Sequence, residues 1–413
     1  MNNKITAILL LLVLAACSSN RKISLINLAG EYNNWNFSRI SSAVYNNREG
    51  FGDVFIEFNL NDLIYLEDDE GSVNKAVYSI HYDLFYGYEN KKSIDSATLF
   101  YYDSLYSGMD KMMLHHFSLA YPEEGKYVLQ ITLEDINGGQ AMEHFIEIEN
   151  SSGLGKNDFL LTDPDSVPLL TSLIDSASAF IVRVNDPGLS ELYVRHYNRE
   201  FPIAYPPFWN EEPDNYVYKP DSIFKIALHD GFSDIISFPE RGIYQFQADT
   251  GTRTGKAIFR FYDGFPQVSN PLRLLEPLRY ITTEKEYNEM RNSDNIKLAI
   301  DRFWLDNAGN PARGRNMIQK YYSRVADANK YFSSYLEGWK TDRGLIYIIF
   351  GPPKIVYRAN FFEEWIYGEA GNSNSIKFQF FQVDNPFTDN DFSLYRMPNY
   401  KERWYNVVSS WRR

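Results

Sequence analysis

Asp342 is the side chain in this sequence best placed to do chemistry, a carboxylate with Lys340, Thr341 and Arg343 beside it and with Glu363 and Glu364 downstream. Such a group could serve as a general base, and either glutamate could be the second acid of an Asp-dependent hydrolase. The reaction also needs a nucleophile, a base of suitable pKa or a metal, and the spacing supplies none. His81, His115, His116, His144, His196 and His229 all lie upstream on β-patterned segments. Adjacent residues on a strand point to opposite faces, so His115 and His116 cannot share a metal. No zinc-protease helix motif, nucleophile elbow, phosphate-binding glycine loop or calcium loop occurs. A structural reading uses the same residues fully. Gly338 ends a helix, Trp339 fills a joint, Thr341 or Asp342 accepts backbone N–H bonds in a turn, and Arg343 pairs with a carboxylate. On this reading the chain has no catalytic residue, no metal and no cofactor.

The elements that must position these residues follow from pattern. Thr283-Glu284-Lys285-Glu286 is a capping box that opens a first helix. Ile296, Ala299, Ile300, Phe303 and Trp304 share one face of a second. Asn310-Pro311 starts a third, whose apolar stripe runs through Ile318, Tyr321, Tyr322, Val325, Phe332 and Leu336 until Gly338 stops it. The unbroken apolar run from Leu345 reads as a central strand covered by helix. Gly351-Pro352-Pro353 then turns the chain, and Glu364 to Tyr367 and Ile376 to Gln382 supply later strands. The sum is a C-terminal α+β domain at 271–413, with helices packed on a small antiparallel sheet.

Gly338, Trp339, Thr341 and Asp342 stand at the spacing of the GWxTD domain. Arg343, Gly344, Gly351, Pro352 and Pro353 continue the match, and upstream Phe303-Trp304, Ala328-Asn329 and Phe332 fit it too. The last third of the chain thus resembles that bacterial lipoprotein family. The resemblance implies no reaction. The order helix, helix, strand, Gly-x-Pro turn, Trp-x-Tyr strand also resembles, more loosely, the small E subunit of the β-barrel assembly machinery.

Upstream, hydrophobic residues alternate with period two over 30–150, and short strands with regular turns predict an immunoglobulin-like sandwich. Asn137-Gly138-Gly139 marks a hairpin. Pro122-Glu123-x-Gly125-x-Tyr127 returns as Pro239-Glu240-x-Gly242-x-Tyr244, again followed by a strand and a glycine turn, now at Gly251. The expectation is two tandem sandwiches, 30–150 and 157–268, with Ser151 to Lys156 as linker. Pro206-Pro207-Phe208-Trp209 belongs in a loop whose rings pack back on their own domain or form a binding tip.

The only cysteine is Cys17. Lys4, a short apolar run and Leu14-Ala15-Ala16-Cys17 resemble a bacterial lipobox, which implies a signal peptide at 1–16, lipidation of Cys17 and a lipid-anchored tether at 17–29. Ser18 resembles the sorting context of outer-membrane lipoproteins, which implies a periplasm-facing outer-membrane location. A net charge of -13 argues against a nucleic-acid partner. Two functions follow. The first is a non-catalytic subunit or scaffold of an envelope complex, for protein secretion or outer-membrane protein assembly, with outer-membrane or periplasmic protein partners. The second is a peptidoglycan or glycan binder that uses Trp209, Trp365 and Tyr367 as stacking rings. An Asp342-dependent hydrolase is the weaker alternative.

Overall fold

The computed structural model describes residues 22–33, 39–47, 51–67, 74–104, 111–151, 153–198, 200–209 and 219–412. The expected signal peptide, Cys17, and Glu211, Glu212 and Asp214 of the proline-rich loop lie outside them. The described chain is mainly β, with antiparallel sheets followed by a helical C-terminal region that carries a small sheet of its own.

The first β module sets a three-stranded sheet (Ser41–Asn46, Phe51–Asn59, Met112–Ala120) against a five-stranded one (Leu66–Glu67, Asn74–Phe85, Asp95–Ser104, Gly125–Asp135, Gln140–Asn150). One core lies between them, with Val54, Ile56 and Phe58 facing Ile80, Leu129 and Ile131. Alternation places these residues inward, because side chains on a strand change face at every step. The predicted hairpin is present, with residues 136–139 joining strands Gly125–Asp135 and Gln140–Asn150. In the second module seven strands hydrogen-bond in one path, and strand Ser222–His229 pairs with Glu191–Tyr197 on one side and Phe232–Ser233 on the other. Phe180, Val182, Val194, Phe246 and Ile258 fill its core.

The repeated Pro-Glu-x-Gly-x-Tyr sequence has the same structure in both modules. The hydroxyl of Tyr127 donates to the carbonyl of Glu123, and that of Tyr244 to the carbonyl of Glu240 at 2.9 Å. Each tyrosine folds back over the turn that opens its own strand, the arrangement of a tyrosine corner in β-sandwiches. The linker runs into a buried joint at Asn157 and Asp158. Asn157 donates to the carbonyl of Val44, and the carboxylate of Asp158 accepts from Asn46 and from the Gly155 N–H.

The C-terminal region begins with helices α1 (Pro271–Leu275), α2 (Glu284–Arg291), α3 (Ile296–Ala308) and α4 (Pro311–Phe332). Thr283 and Glu286 form the predicted capping box. Asn310 caps α4 with Pro311 at its first position. Two expectations fail next. Helix α4 stops at Phe332, not at Gly338, because Ser333 turns extended and its hydroxyl returns to the carbonyl of Asn329. The run from Leu345 is no strand: α5 spans Asp342–Phe350. Thr341 caps it, and Gly351, at φ +90°, ends it. An apolar run of this length fits a central strand or a fully enclosed helix equally well by pattern; packing on every side makes a helix of it, and Thr341 and Gly351 close its ends. Leu345, Ile346, Ile348 and Ile349 are all buried. The small sheet is a meander of Ile355–Arg358, Phe362–Tyr367, Ile376–Gln382 and Phe392–Leu394, followed by α6 (Tyr400–Ser410). With a helix where the first strand was expected, the element order behind the likeness to the E subunit does not hold.

The segment expected to be a tether is packed into the molecule from Lys22 onward. Ile23 sits among Phe85, Tyr88 and Val128 of the first module, and Leu28, Ala29 and Tyr32 enter the C-terminal core. Asn27 exchanges hydrogen bonds with the Val356 N–H and the Lys354 carbonyl, at 2.9 and 3.2 Å. Tyr347 donates to the carbonyl of Tyr32 at 3.0 Å. Apolar burial of this kind is the usual reason a chain terminus is fixed rather than frayed.

Candidate functional site

The motif residues form one joint between α4, α5, the N-terminal segment and the small sheet. Gly338 opens a short 3-10 turn, Gly338–Lys340, laid against the last turns of α4. A Cβ on Gly338 would lie 1.9 Å from the carbonyl oxygen of Ala328, and one on Gly344 would lie 1.8 Å from that of Gly338. Both positions therefore exclude any side chain, and backbone packs directly on backbone. Asn329 locks the contact: its side-chain oxygen accepts the Trp339 N–H at 3.1 Å, and its amide donates to the carbonyl of Pro266 at 3.0 Å. Trp339 is buried with its ring against Tyr280, whose hydroxyl reaches the Trp339 carbonyl at 2.9 Å.

Thr341 is a bidirectional cap. Its hydroxyl donates to the carbonyl of Gly338 at 2.8 Å and accepts the Gly344 N–H at 3.1 Å. This satisfies one of the open donors at the start of α5. At the other end Arg324 donates to the carbonyls of Ile348 and Ile349, at 2.9 and 3.1 Å, where a cation suits the helix dipole. Gly351 lies beneath that guanidinium, and its carbonyl accepts the Tyr367 hydroxyl at 2.7 Å before Pro352 and Pro353 lead into the sheet.

The carboxylates that could have done chemistry are each engaged separately. One oxygen of Asp342 accepts from Arg396, and the other accepts the Leu394 N–H at 2.7 Å and Arg396 again at 3.1 Å. Burial pushes the Asp342 carboxyl above its ordinary value, while Arg396 and the Leu394 N–H pull it back part of the way. A raised buried carboxyl is also what a general acid requires, but here both oxygens are committed to binding Arg396 and the sheet. Glu363 is wholly buried and pairs with Arg343 at 3.0 Å, while its other oxygen accepts from the Trp365 indole at 2.9 Å. Arg343 stacks on Phe392, with its guanidinium carbon 4.1 Å from the ring centre, and donates to the Asn390 carbonyl at 2.9 Å. Asn390 in turn donates to the carbonyls of Tyr331 and Ser333, which closes the end of α4. Glu364 bonds Gln379 and Lys377 across the sheet, at 3.0 and 3.4 Å.

Sequence reasoning placed Trp365 and Tyr367 as stacking rings, and the structure corrects this for Trp365. Its ring is 0% exposed, enclosed by Tyr32, Phe332 and Phe380, so it has no face for a sugar. Tyr367 is half-buried, its ring against Phe350 and Phe378. Trp209 keeps 43% of its surface exposed. The described part of the loop that carries it packs on the C-terminal region. Phe208 meets Tyr405, the Ala204 N–H donates to the Lys340 carbonyl, and the Met397 N–H donates to the Pro207 carbonyl. Of the histidines, His144 faces Glu31 of the N-terminal segment at 3.4 Å, and the three that follow contact residues of the β modules. His115 accepts or donates to Tyr78, His116 stacks on Phe55, and His196 stacks on Tyr244. Among the described residues no group of three or more His, Cys, Asp or Glu side chains converges as a metal site would. Arg396, Asn390, Tyr280 and Tyr32 are the joint residues that sequence reasoning missed, and no local pattern marks them.

The joint lies within residues 242–413, which match the family model of the GWxTD domain. The match begins at the strand Gly242–Gln247, so it takes in the last hairpin of the second β module as well as the helices and small sheet. No curated protein matches the chain.

Proposed function

We propose that the chain is a non-catalytic subunit or scaffold of a cell-envelope complex, held at the outer membrane through lipid on Cys17 and facing the periplasm. The observation that carries this reading is an aromatic patch on the C-terminal sheet. Phe381 and Tyr395 are 46% and 54% exposed with ring centres 6.3 Å apart, and Phe362 lies 6.2 Å from Phe381. Clustered exposed rings are costly in water and are enriched at the centres of protein interfaces. The joint fits the same role, since its polar groups bind one segment of the chain to another. If Cys17 is the lipid site, only the few residues before Lys22 separate the bilayer from the docked segment. At about 3.5 Å per residue this holds the GWxTD domain within roughly 20 Å of the headgroups. Among the described residues no helix is long and apolar enough to cross a membrane.

Purification from native membranes in mild detergent tests the reading, with Cys17→Ser and a Phe381→Ser, Tyr395→Ser variant alongside. A stoichiometric set of envelope proteins, lost with the aromatic variant, is the expected result, and a lone protein would overturn it. Exposed Trp209 favours glycan binding as the second reading. Retention on cell-wall sacculi that disappears in Trp209→Ala would move the assignment there.

A further inference from the structure

A cavity of about 470 Å³ lies where the two β modules meet the loop 384–390 of the C-terminal region. Lys126, Lys156 and Lys256 line it from three different elements: a first-module strand, the inter-module joint and a second-module strand. Arg253, Glu149 and Asp384 line it as well, and Phe259 and Phe387 give it an apolar wall. Lys156 is ion-paired with Asp389. Among the described residues Lys126 and Lys256 have no hydrogen-bond or ion-pair partner on their ammonium groups.

We propose that this junction cavity binds a small oxyanion-bearing ligand, a carboxylate or a phosphate ester, with Lys256 and Lys126 as its ammonium ligands and Phe259 and Phe387 against its apolar part. The volume lies within the usual range for small-molecule sites, and module interfaces are a preferred place for them. The local field favours an anion. Burial and the neighbouring charge of Lys156 bring Lys256 down to about 8, and neither Glu149 nor Asp384 offsets them. A bound oxyanion would supply a countercharge to Lys256, which Lys156 repels. Three chain segments also close around the site, so occupancy would couple to how firmly the modules are held together. The inference does not depend on whether the protein is an envelope subunit.

The test is titration calorimetry on the full-length chain with three probes: inorganic phosphate, N-acetyl-Ala-Ala, and the C-terminal amide of that peptide. Saturable binding of phosphate, or of the free-acid peptide but not its amide, is expected, and it identifies the source of the oxyanion. Lys256→Met and, separately, Lys126→Met should each weaken binding at least tenfold. Lys126 lies on the exposed rim, so its variant keeps the test sound if Lys256→Met alters folding. Affinity should fall about tenfold from pH 7 to pH 9 as Lys256 loses its proton; Lys126, Lys156, Arg253, Glu149, Asp384 and Asp389 face the same cavity, and burial pushes the Lys156 ammonium down as well. No binding by any probe, equal binding of acid and amide, or affinity untouched by both substitutions would overturn the proposal.

Discussion

The buried pair Arg343 and Glu363 offers the sharpest test of the joint. Their side chains are 2% and 0% exposed and 3.0 Å apart, with the remaining Glu363 oxygen on the Trp365 indole. Arg343→Met leaves the Glu363 carboxylate in a dry core with the Trp365 indole and the Tyr32 hydroxyl as its remaining close polar neighbours. Removing one partner of such a pair costs about 3–5 kcal/mol. Glu363→Gln keeps an acceptor for Trp365 but strands the guanidinium, whose bond to the Asn390 carbonyl and stacking on Phe392 soften the loss to about 2–3 kcal/mol. The double variant carries no buried charge and should recover to within about 2 kcal/mol of the parent, a strong coupling in the cycle. Urea unfolding followed by tryptophan fluorescence reads this region selectively, because Trp304, Trp339, Trp365, Trp404 and Trp411 all lie in its core. In heating experiments the single variants should fall by about 4–20 °C, at about 2–4 °C per kcal/mol for a unit of this size. Single variants that lose under about 1 kcal/mol, or losses that simply add in the double variant, would refute the reasoning.

Other perturbations address separate links. Gly344→Ala places a methyl 1.8 Å from a backbone oxygen and should cost about 3 kcal/mol or more in the same unfolding assay, while Gly30→Ala, with open space around it, should be near neutral. Tyr32→Ala should release the N-terminal segment, costing about 3–5 kcal/mol and opening the 22–33 stretch to limited proteolysis. Lys256 has its folded-state pKa depressed to about 8, below the unfolded value, so the unfolded chain binds more protons above that pH and stability rises with pH. From pH 7 to pH 9 that group should add about 1.4 kcal/mol, a gain absent in Lys256→Met.

The legible parts of the fold were those written in local signals. The capping box at Thr283, the Asn310-Pro311 start of α4, the Asn137-Gly138 hairpin and the strand Ile376–Gln382 each depend on neighbours in sequence. The repeat at Tyr127 and Tyr244 was visible as a pattern, and its cause, a hydroxyl folded back on its own turn, is local too. Failures came where distant segments decide. The run Leu345 to Ile349 is apolar all round in either state, and only its enclosure by α4, the sheet and the N-terminal segment makes a buried helix of it. Trp365 looked displayable because nothing nearby in sequence says that Tyr32 covers it. Likewise the partner of Asp342, Arg396, lies across the domain with no motif to mark it.

The central claim, that the motif joins the chain together and performs no chemistry, is tested most directly by replacing its most chemical side chain without stranding a charge. Asp342→Asn with Arg396→Gln removes both charges from the joint and leaves groups able to hydrogen-bond to each other and to the Leu394 N–H. Once unfolding shows the double variant to be folded, the measurement is its ability to replace the parent in cells. Full replacement with an unchanged set of co-purifying proteins is the predicted result. A folded variant that keeps its partners but cannot replace the parent would contradict the account and return Asp342 to a catalytic role.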